Sequence, residues 1–400
     1  MPTESLTARV SAACRAMALS AGLIGGAVLP ASAGEAEVET IEAVYADPAA
    51  AGARFSEGFL QAVPLAQIAE IVESMRARYG PAAAVREEAG GYAIETASHR
   101  IPVEIALDAE GRITGLFFRA ALPLGGDITE TLAAISELPG TVSYLVRSGD
   151  AVLHGRNGGE KLAVGSAFKL GILKVLIDDI AVGKRKWEDV VRLQAQDKSL
   201  PSGTLQRYPD GSPFTLHTLA AAMIANSDNT ATDVLIRVLG AERIAETLGL
   251  DALPTTRAFF TLKADGALAA RYRENPAERA DILAGLAGRP LPDPVRASVH
   301  HTPGVEWYVD AATLCELALS VREADVFALN PGPVNAGRWA GVAFKGGSEA
   351  GVLNLTAALT GHDRRSRCVS LTVNSDTTID ETRVAELFAA LAEQLAAPGD

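Results

Sequence analysis

Two sets of strand-like segments stand far apart in this chain, at 142–147 and 151–154 and again at 341–345, 351–359 and 368–374. Between them the apolar residues recur with helical spacing, as in 216–225, 230–239 and 243–248. A two-stranded ribbon is at best marginally stable in water, so the early pair needs further strands or a packed helix beside it. One antiparallel sheet built from both ends of a domain, with the helical stretch inserted between them, satisfies both sets. A last helix at 381–396 completes the pattern. The expected fold class is α+β.

A smaller module precedes it. Leu65, Ile68, Val72, Met75 and Tyr79 trace one helix face, ended by Gly80-Pro81. Strand patterns follow at 92–96, 101–107 and 113–119, the last two joined by the turn Asp108-Ala109-Glu110-Gly111. One helix on a small antiparallel sheet makes a complete α+β unit. The boundaries read as a signal peptide at 1–33, a loose leader at 34–53, the small domain at 54–121, a linker with a short helix at 122–140 and the main domain at 141–400.

The ends and the charge narrow the partners. Arg9 and Arg15, an uncharged apolar stretch at 17–29 and Ala31-Ser32-Ala33 have the order of a secretory signal and its cleavage site. After its removal no long charge-free run remains to span a membrane. A net charge of −13 disfavours nucleic acid and anionic membranes. Cys14 falls in the signal; Cys315 and Cys368 either pair or remain buried thiols. The histidines are scattered and His300-His301 has no ligand cluster near it, so neither a metal nor any other cofactor is expected.

Ser166-Ala167-Phe168-Lys169 carries the chemistry. It follows Val164-Gly165 and opens an apolar helical stretch at 168–182. Residues three apart share a helix face, so Lys169 can reach back to the Ser166 hydroxyl. A serine becomes nucleophilic when a neighbouring base takes its proton, and a desolvated lysine beside another cation can be that base. Two further segments stand downstream. Ser227-Asp228-Asn229 precedes a helix, where Asp or Asn alone would be an ordinary cap. Lys345-Gly346-Gly347-Ser348 ends a strand, where paired glycines let backbone approach a ligand or mark a bulge.

In this order and spacing the three segments resemble the active-site serine penicillin-recognising family, class A β-lactamases above all. The serines are 61 positions apart and Lys345 lies 118 beyond Ser227. The resemblance spans roughly 139–399. With the preceding module, the chain resembles serine hydrolases that join a cystatin-like or steroid-isomerase-like domain to a class A-like domain; Ser199-Leu200-Pro201-Ser202-Gly203 and Lys345 to Glu349 share that likeness. The resemblance implies an acyl-enzyme at Ser166, with Lys169 as its base and Lys345 helping to keep Lys169 neutral. Ser227 would protonate the leaving group, and Asn229 would position Lys169 and a substrate amide. The N–H groups of Ser166 and Ser348 would form the oxyanion hole, at Gly347-Ser348, and Lys345 with Ser348 would hold a substrate carboxylate. The implied substrate is a small molecule, a β-lactam or alternatively a small acyl ester, met in a periplasm or the medium.

Two departures stand out. No Glu-x-x-Leu-Asn pattern occurs about 36 residues beyond Ser227, where the segment reads Phe259-Phe260-Thr261-Leu262-Lys263-Ala264-Asp265. Slow release of an acyl adduct is therefore expected. Glu349 brings a negative charge next to Ser348, free or paired with Lys345. A non-catalytic sensor is the reading from another class, and it needs neither Ser166 nor Lys169. Trp187, Trp307 and Tyr308 read as core packing, and His154, His217 and His362 have no catalytic part.

Overall fold

In the computed structural model, residues 33–88, 91–298 and 302–396 are described. The signal pattern, Cys14 and His300-His301 lie outside them. The chain divides into two compact units, 1–131 with 389–395 and 132–388 with 396–400.

In the first unit, helices α1 (Ala33–Ala46), α2 (Glu57–Ala62) and α3 (Leu65–Tyr79) accompany strands β1 (Ala84–Glu88), β2 (Gly91–Glu95), β3 (His99–Leu107) and β4 (Ile113–Phe118). The strands form an antiparallel meander in sequence order. The expected loose leader is instead helix α1, because Ile41, Val44 and Tyr45 fall on one face and are buried in the unit's core. The unit therefore has more than the single helix its sequence suggested. The linker expectation also shifts, since β5 (Leu122–Pro123) pairs with β3 and belongs to this sheet.

Helix α4 (Ile128–Ser136) leads to the second unit, an α+β domain. Its sheet uses strands from both ends of the domain: β6 (Thr141–Ser148), β7 (Ala151–Arg156), β12 (Gly341–Glu349), β13 (Val352–Thr360) and β14 (Ser366–Asn374), in the antiparallel order β12-β13-β14-β6-β7. The interior strand β13 is buried along nearly its whole length. Its polar side chains answer one another: Asn354 Nδ2 donates to Thr372 Oγ1 at 2.9 Å, and Thr356 Oγ1 donates to Asn354 Oδ1 at 2.9 Å. Short ribbons pair β8 (Leu162–Ala163) with β11 (Tyr308–Val309) and β9 (Val190–Arg192) with β10 (Pro213–Thr215).

The helical region holds α5 (Lys169–Ala181), α6 (Leu216–Ala225), α7 (Asn229–Leu239), α8 (Ala241–Leu248), α9 (Thr256–Ala264), α10 (Gly266–Glu274), α11 (Arg279–Ala284) and α12 (Pro294–Ser298). Helix α5 is buried on almost every side, through Leu170, Ile172, Leu173, Val175 and Leu176. Helix α13 (Ala311–Val321) is tied to the sheet by a disulfide from Cys315 to Cys368 on β14, with Cα atoms 5.6 Å apart. The open question of those two cysteines is thus answered by a pair. Helix α14 (Glu381–Ala396) follows β14.

Candidate active site

Ser166 sits in a 3-10 turn, Gly165–Phe168, immediately before α5 begins at Lys169. The helix starts one residue later than its apolar pattern suggests, because Gly165 adopts a left-handed φ of 49° that ends β8 and turns the chain. The turn is fixed from below. Phe168 stacks on Trp307 with ring centroids 4.0 Å apart, and Val164 N–H donates to Trp307 O at 3.0 Å. Trp307 is therefore a support for the serine turn, buried as expected. Ser166 itself is half-buried, while Lys169 is wholly buried.

The second segment meets Lys169 in space. Lys169 Nζ donates to Ser227 O at 2.7 Å, to Asn229 Oδ1 at 2.8 Å and lies 3.1 Å from Ser227 Oγ. Ser227 has φ 52°, a conformation that costs a non-glycine residue about 1–2 kcal/mol. Its surroundings hold it there. Ser202 Oγ donates to Ser227 O at 2.7 Å, Asn229 N–H to Ser202 O at 3.1 Å, and Asn229 Nδ2 to Leu200 O at 3.0 Å. Asp228 caps α7 through Ala231 N–H at 2.8 Å and also accepts from Thr204 N–H at 2.6 Å and Leu205 N–H at 2.9 Å. The Ser199–Gly203 run is thus the clamp on the Ser227 turn.

The third segment closes the cluster. Lys345 Nζ lies 3.2 Å from Ser227 Oγ and also donates to Gly346 O. One hydroxyl therefore stands between two buried lysine Nζ atoms. At Gly347 the strand touches the serine turn so closely that a Cβ would sit 2.4 Å from Ser166 N. Gly165 answers from the other side, where a Cβ would lie 3.2 Å from Ser348 N. The backbone nitrogens of Ser166 and Ser348 are accordingly brought to adjoining positions, and β12 is an outer strand with one open edge.

Side chains alternate along β12, so Lys345, Gly347 and Glu349 face one way and Gly346 and Ser348 the other. Two side chains on these faces find carboxylate or ammonium partners from other elements. Glu349 does not pair with Lys345; its Oε1 lies 3.0 Å from Lys263 Nζ on α9. The Ser348 hydroxyl donates to Glu381 Oε1 at 2.6 Å. Lys345 is directed at Ser227 and Glu349 stands four residues further along the strand, while Ser348 points to the opposite face.

Sequence reasoning missed four residues here. Lys263, buried to 1 % side-chain exposure, pairs with Glu349. Glu306, next to Trp307, has both carboxyl oxygens buried without a hydrogen-bond partner. Burial pushes it up to about 8, Lys263 pulls against that, and Glu349 adds to it. Asp233 on α7 accepts from Thr256 N–H at 2.7 Å and Arg257 N–H at 2.9 Å. Burial pushes it up to about 7 against those hydrogen bonds and the charge of Lys169. Glu381 lies 33 positions beyond Ser348, and nothing in a linear reading joins the two. His217 pairs with Asp325 away from the cluster, and no group of potential metal ligands occurs among the described residues.

Residues 127–293 match the model of the Beta-lactamase enzyme family. Solved structures that resemble the chain include a β-lactamase from Sphaerobacter thermophilus (19 % identity, TM-score 0.47, 67 % of this chain and 94 % of that one). PBP-A does so at 16 % identity, with the same TM-score and coverage. A β-lactamase from Chitinophaga pinensis does so at 13 % identity and TM-score 0.47, over 67 % of this chain and 97 % of that one. No curated protein matches. The class the family model points to for the matched residues is a β-lactamase-like domain.

Proposed function

We propose that the protein is an exported serine hydrolase that forms an acyl-enzyme at Ser166, with chemistry of the β-lactamase type. The observation that carries the reading is the Ser227 hydroxyl held 3.1 Å from Lys169 Nζ and 3.2 Å from Lys345 Nζ, beside the Ser166 turn. The Cys315–Cys368 disulfide supports export, since such bonds persist in oxidising compartments.

A base needs a lone pair. In its unprotonated form Lys169 has two N–H bonds, which Ser227 O and Asn229 Oδ1 take, leaving the lone pair for the Ser166 proton. Ser166 Oγ then bonds to the substrate carbonyl carbon as its proton passes to Lys169. The oxyanion rests on the N–H groups of Ser166 and Ser348, a contact of about 3–4 kcal/mol per donor in a well-studied hydrolase. Collapse breaks the bond to the leaving nitrogen, or oxygen in an ester. That atom takes a proton from Ser227, which recovers one from Lys169. Water finally adds its hydroxyl to the acyl carbon and its proton to Ser166. Lys263 stands where the resemblance leads one to look for a water-activating glutamate, so this last step is the slow one.

Labelling with a fluorescent penicillin and with a fluorophosphonate tests the reading. Wild type takes label and Ser166→Ala does not; label that persists in Ser166→Ala contradicts it.

A further inference from the structure

Asn229 and Asp233 are four residues apart on α7 and share one face of it. Asn229 Oδ1 takes an N–H of Lys169 at 2.8 Å, and Asp233, one turn further along, is buried to 3 % exposure. The Thr256 hydroxyl, at the start of α9, joins the two. Its Oγ1 lies 2.9 Å from Asp233 Oδ1, 3.2 Å from Asn229 O and 2.7 Å from Ser199 Oγ. Lys169, Asn229, Asp233, Thr256 and Ser199 are all buried. The arginines and the other lysine around this carboxylate are engaged elsewhere. Arg257 gives Asp233 its backbone N–H but turns its guanidinium to Lys198 O. Lys263 is taken by Glu349, Arg237 by Asp197 and Arg243 by Asp179. The cation whose charge bears on Asp233 is Lys169.

We propose that Asp233 acts on acylation through Lys169, its negative charge favouring the ammonium form and so setting the pH above which the amine serves as base. Burial takes hydration from an ammonium, and a second cation at Lys345 opposes it further; a nearby carboxylate works the other way. Lys169 therefore stands under two opposite influences, Lys345 across the Ser227 hydroxyl and Asp233 along α7. Burial lifts the Asp233 carboxyl to about 7, so its charge appears within the neutral range. Interacting groups of this kind titrate as a pair. Asp233 is a positioning residue, working through Lys169 and Asn229 and not on the reacting atoms. The inference rests on the acyl-enzyme reading and adds the group that tunes its base.

The test is the pH profile of adduct formation on the full chain, by intact mass, with benzylpenicillin and with p-nitrophenyl acetate, from about pH 5 to 9. In wild type the rate rises along an acid limb as Lys169 gives up its proton. Asp233→Asn removes the charge from a side chain of the same shape, and the limb is expected to move toward acid by about one pH unit or more. A loosened helix contact alone would lower the rate at every pH and leave the limb in place. Thr256→Val keeps both N–H bonds to Asp233 and removes a donor that favours its ionised form. It should move the limb the same way by a smaller amount, while Thr256→Ser keeps it at the wild-type position. A limb that stays in place or moves toward alkali in folded Asp233→Asn overturns the inference. Where that variant does not fold, a Thr256→Val limb coincident with that of Thr256→Ser overturns it instead. Either result, with adduct still formed by wild type, leaves the acyl-enzyme reading intact. Absence of adduct with both donors in wild type overturns that reading and the inference together.

Discussion

Lys263 Nζ stands 3.0 Å from Glu349 Oε1, and the pair joins helix α9 to the strand that carries Lys345 and Ser348. The lysine is buried and the glutamate nearly so, with Glu306 close enough for both charges to act on it. Removing the cation leaves the Glu349 carboxylate in low dielectric without its counter-charge. Lys263→Ala is expected to lower unfolding free energy by about 3–5 kcal/mol in a denaturant titration. Lys263→Met tests the same point with the side-chain volume kept.

Stability should fall as pH rises from acid toward neutral and beyond. Glu306 and Asp233 hold their protons more tightly folded than unfolded, at about 8 and about 7 against ordinary values of 4.5 and 3.8. Their contribution is therefore whole below the unfolded values and is lost as pH passes through the folded ones. The groups facing Glu306 are Lys263, Glu349 and Tyr308. Chemical unfolding measured across pH 4 to 9 should show the decline, and Glu306→Gln should flatten the part of it between about 4.5 and 8. A Glu306→Gln curve as steep as wild type would contradict the assignment.

Asp228 caps α7 and pins the segment that clamps Ser227. Asp228→Ala removes a cap and leaves buried N–H groups unpaired, for an expected loss of about 2–3 kcal/mol. Acylation should slow as well, because the Ser227 backbone conformation depends on the same clamp. Thermal melting and adduct kinetics check the two effects separately.

The disulfide closes a loop across 53 positions. On the chain-entropy account a loop of that length contributes about 4 kcal/mol by restricting the unfolded state. Cys315→Ala with Cys368→Ala should lose about that much, read by denaturant unfolding against wild type under oxidising conditions.

Much of this was legible in the sequence, and for identifiable reasons. The late strands of the second unit were legible because β13 and β14, buried along most of their length, are rich in Val, Leu and Thr. Lys169, Ser227, Asn229 and Lys345 stand in motifs of recognisable spacing and meet in space, and the Ser166 turn lies against Gly347 of the third motif. Helix α1 escaped notice because its Ala- and Glu-rich sequence shows the buried stripe Ile41, Val44 and Tyr45 only weakly. Glu381 and Glu306 were invisible for a different reason. Each matters through a partner far along the chain, Ser348 for one and Lys263 for the other, and no local period records such pairs.

Everything proposed depends on the Ser166 hydroxyl being made reactive by Lys169. The most direct measurement is the rate of covalent adduct formation, by intact mass with peptide mapping, for wild type, Ser166→Ala and Lys169→Met. The expected result is one acyl group on Ser166 in wild type, none in Ser166→Ala, and a rate lowered by roughly 10²–10⁴ in Lys169→Met. An adduct that maps to another residue, or a Lys169→Met rate equal to wild type, would contradict the account.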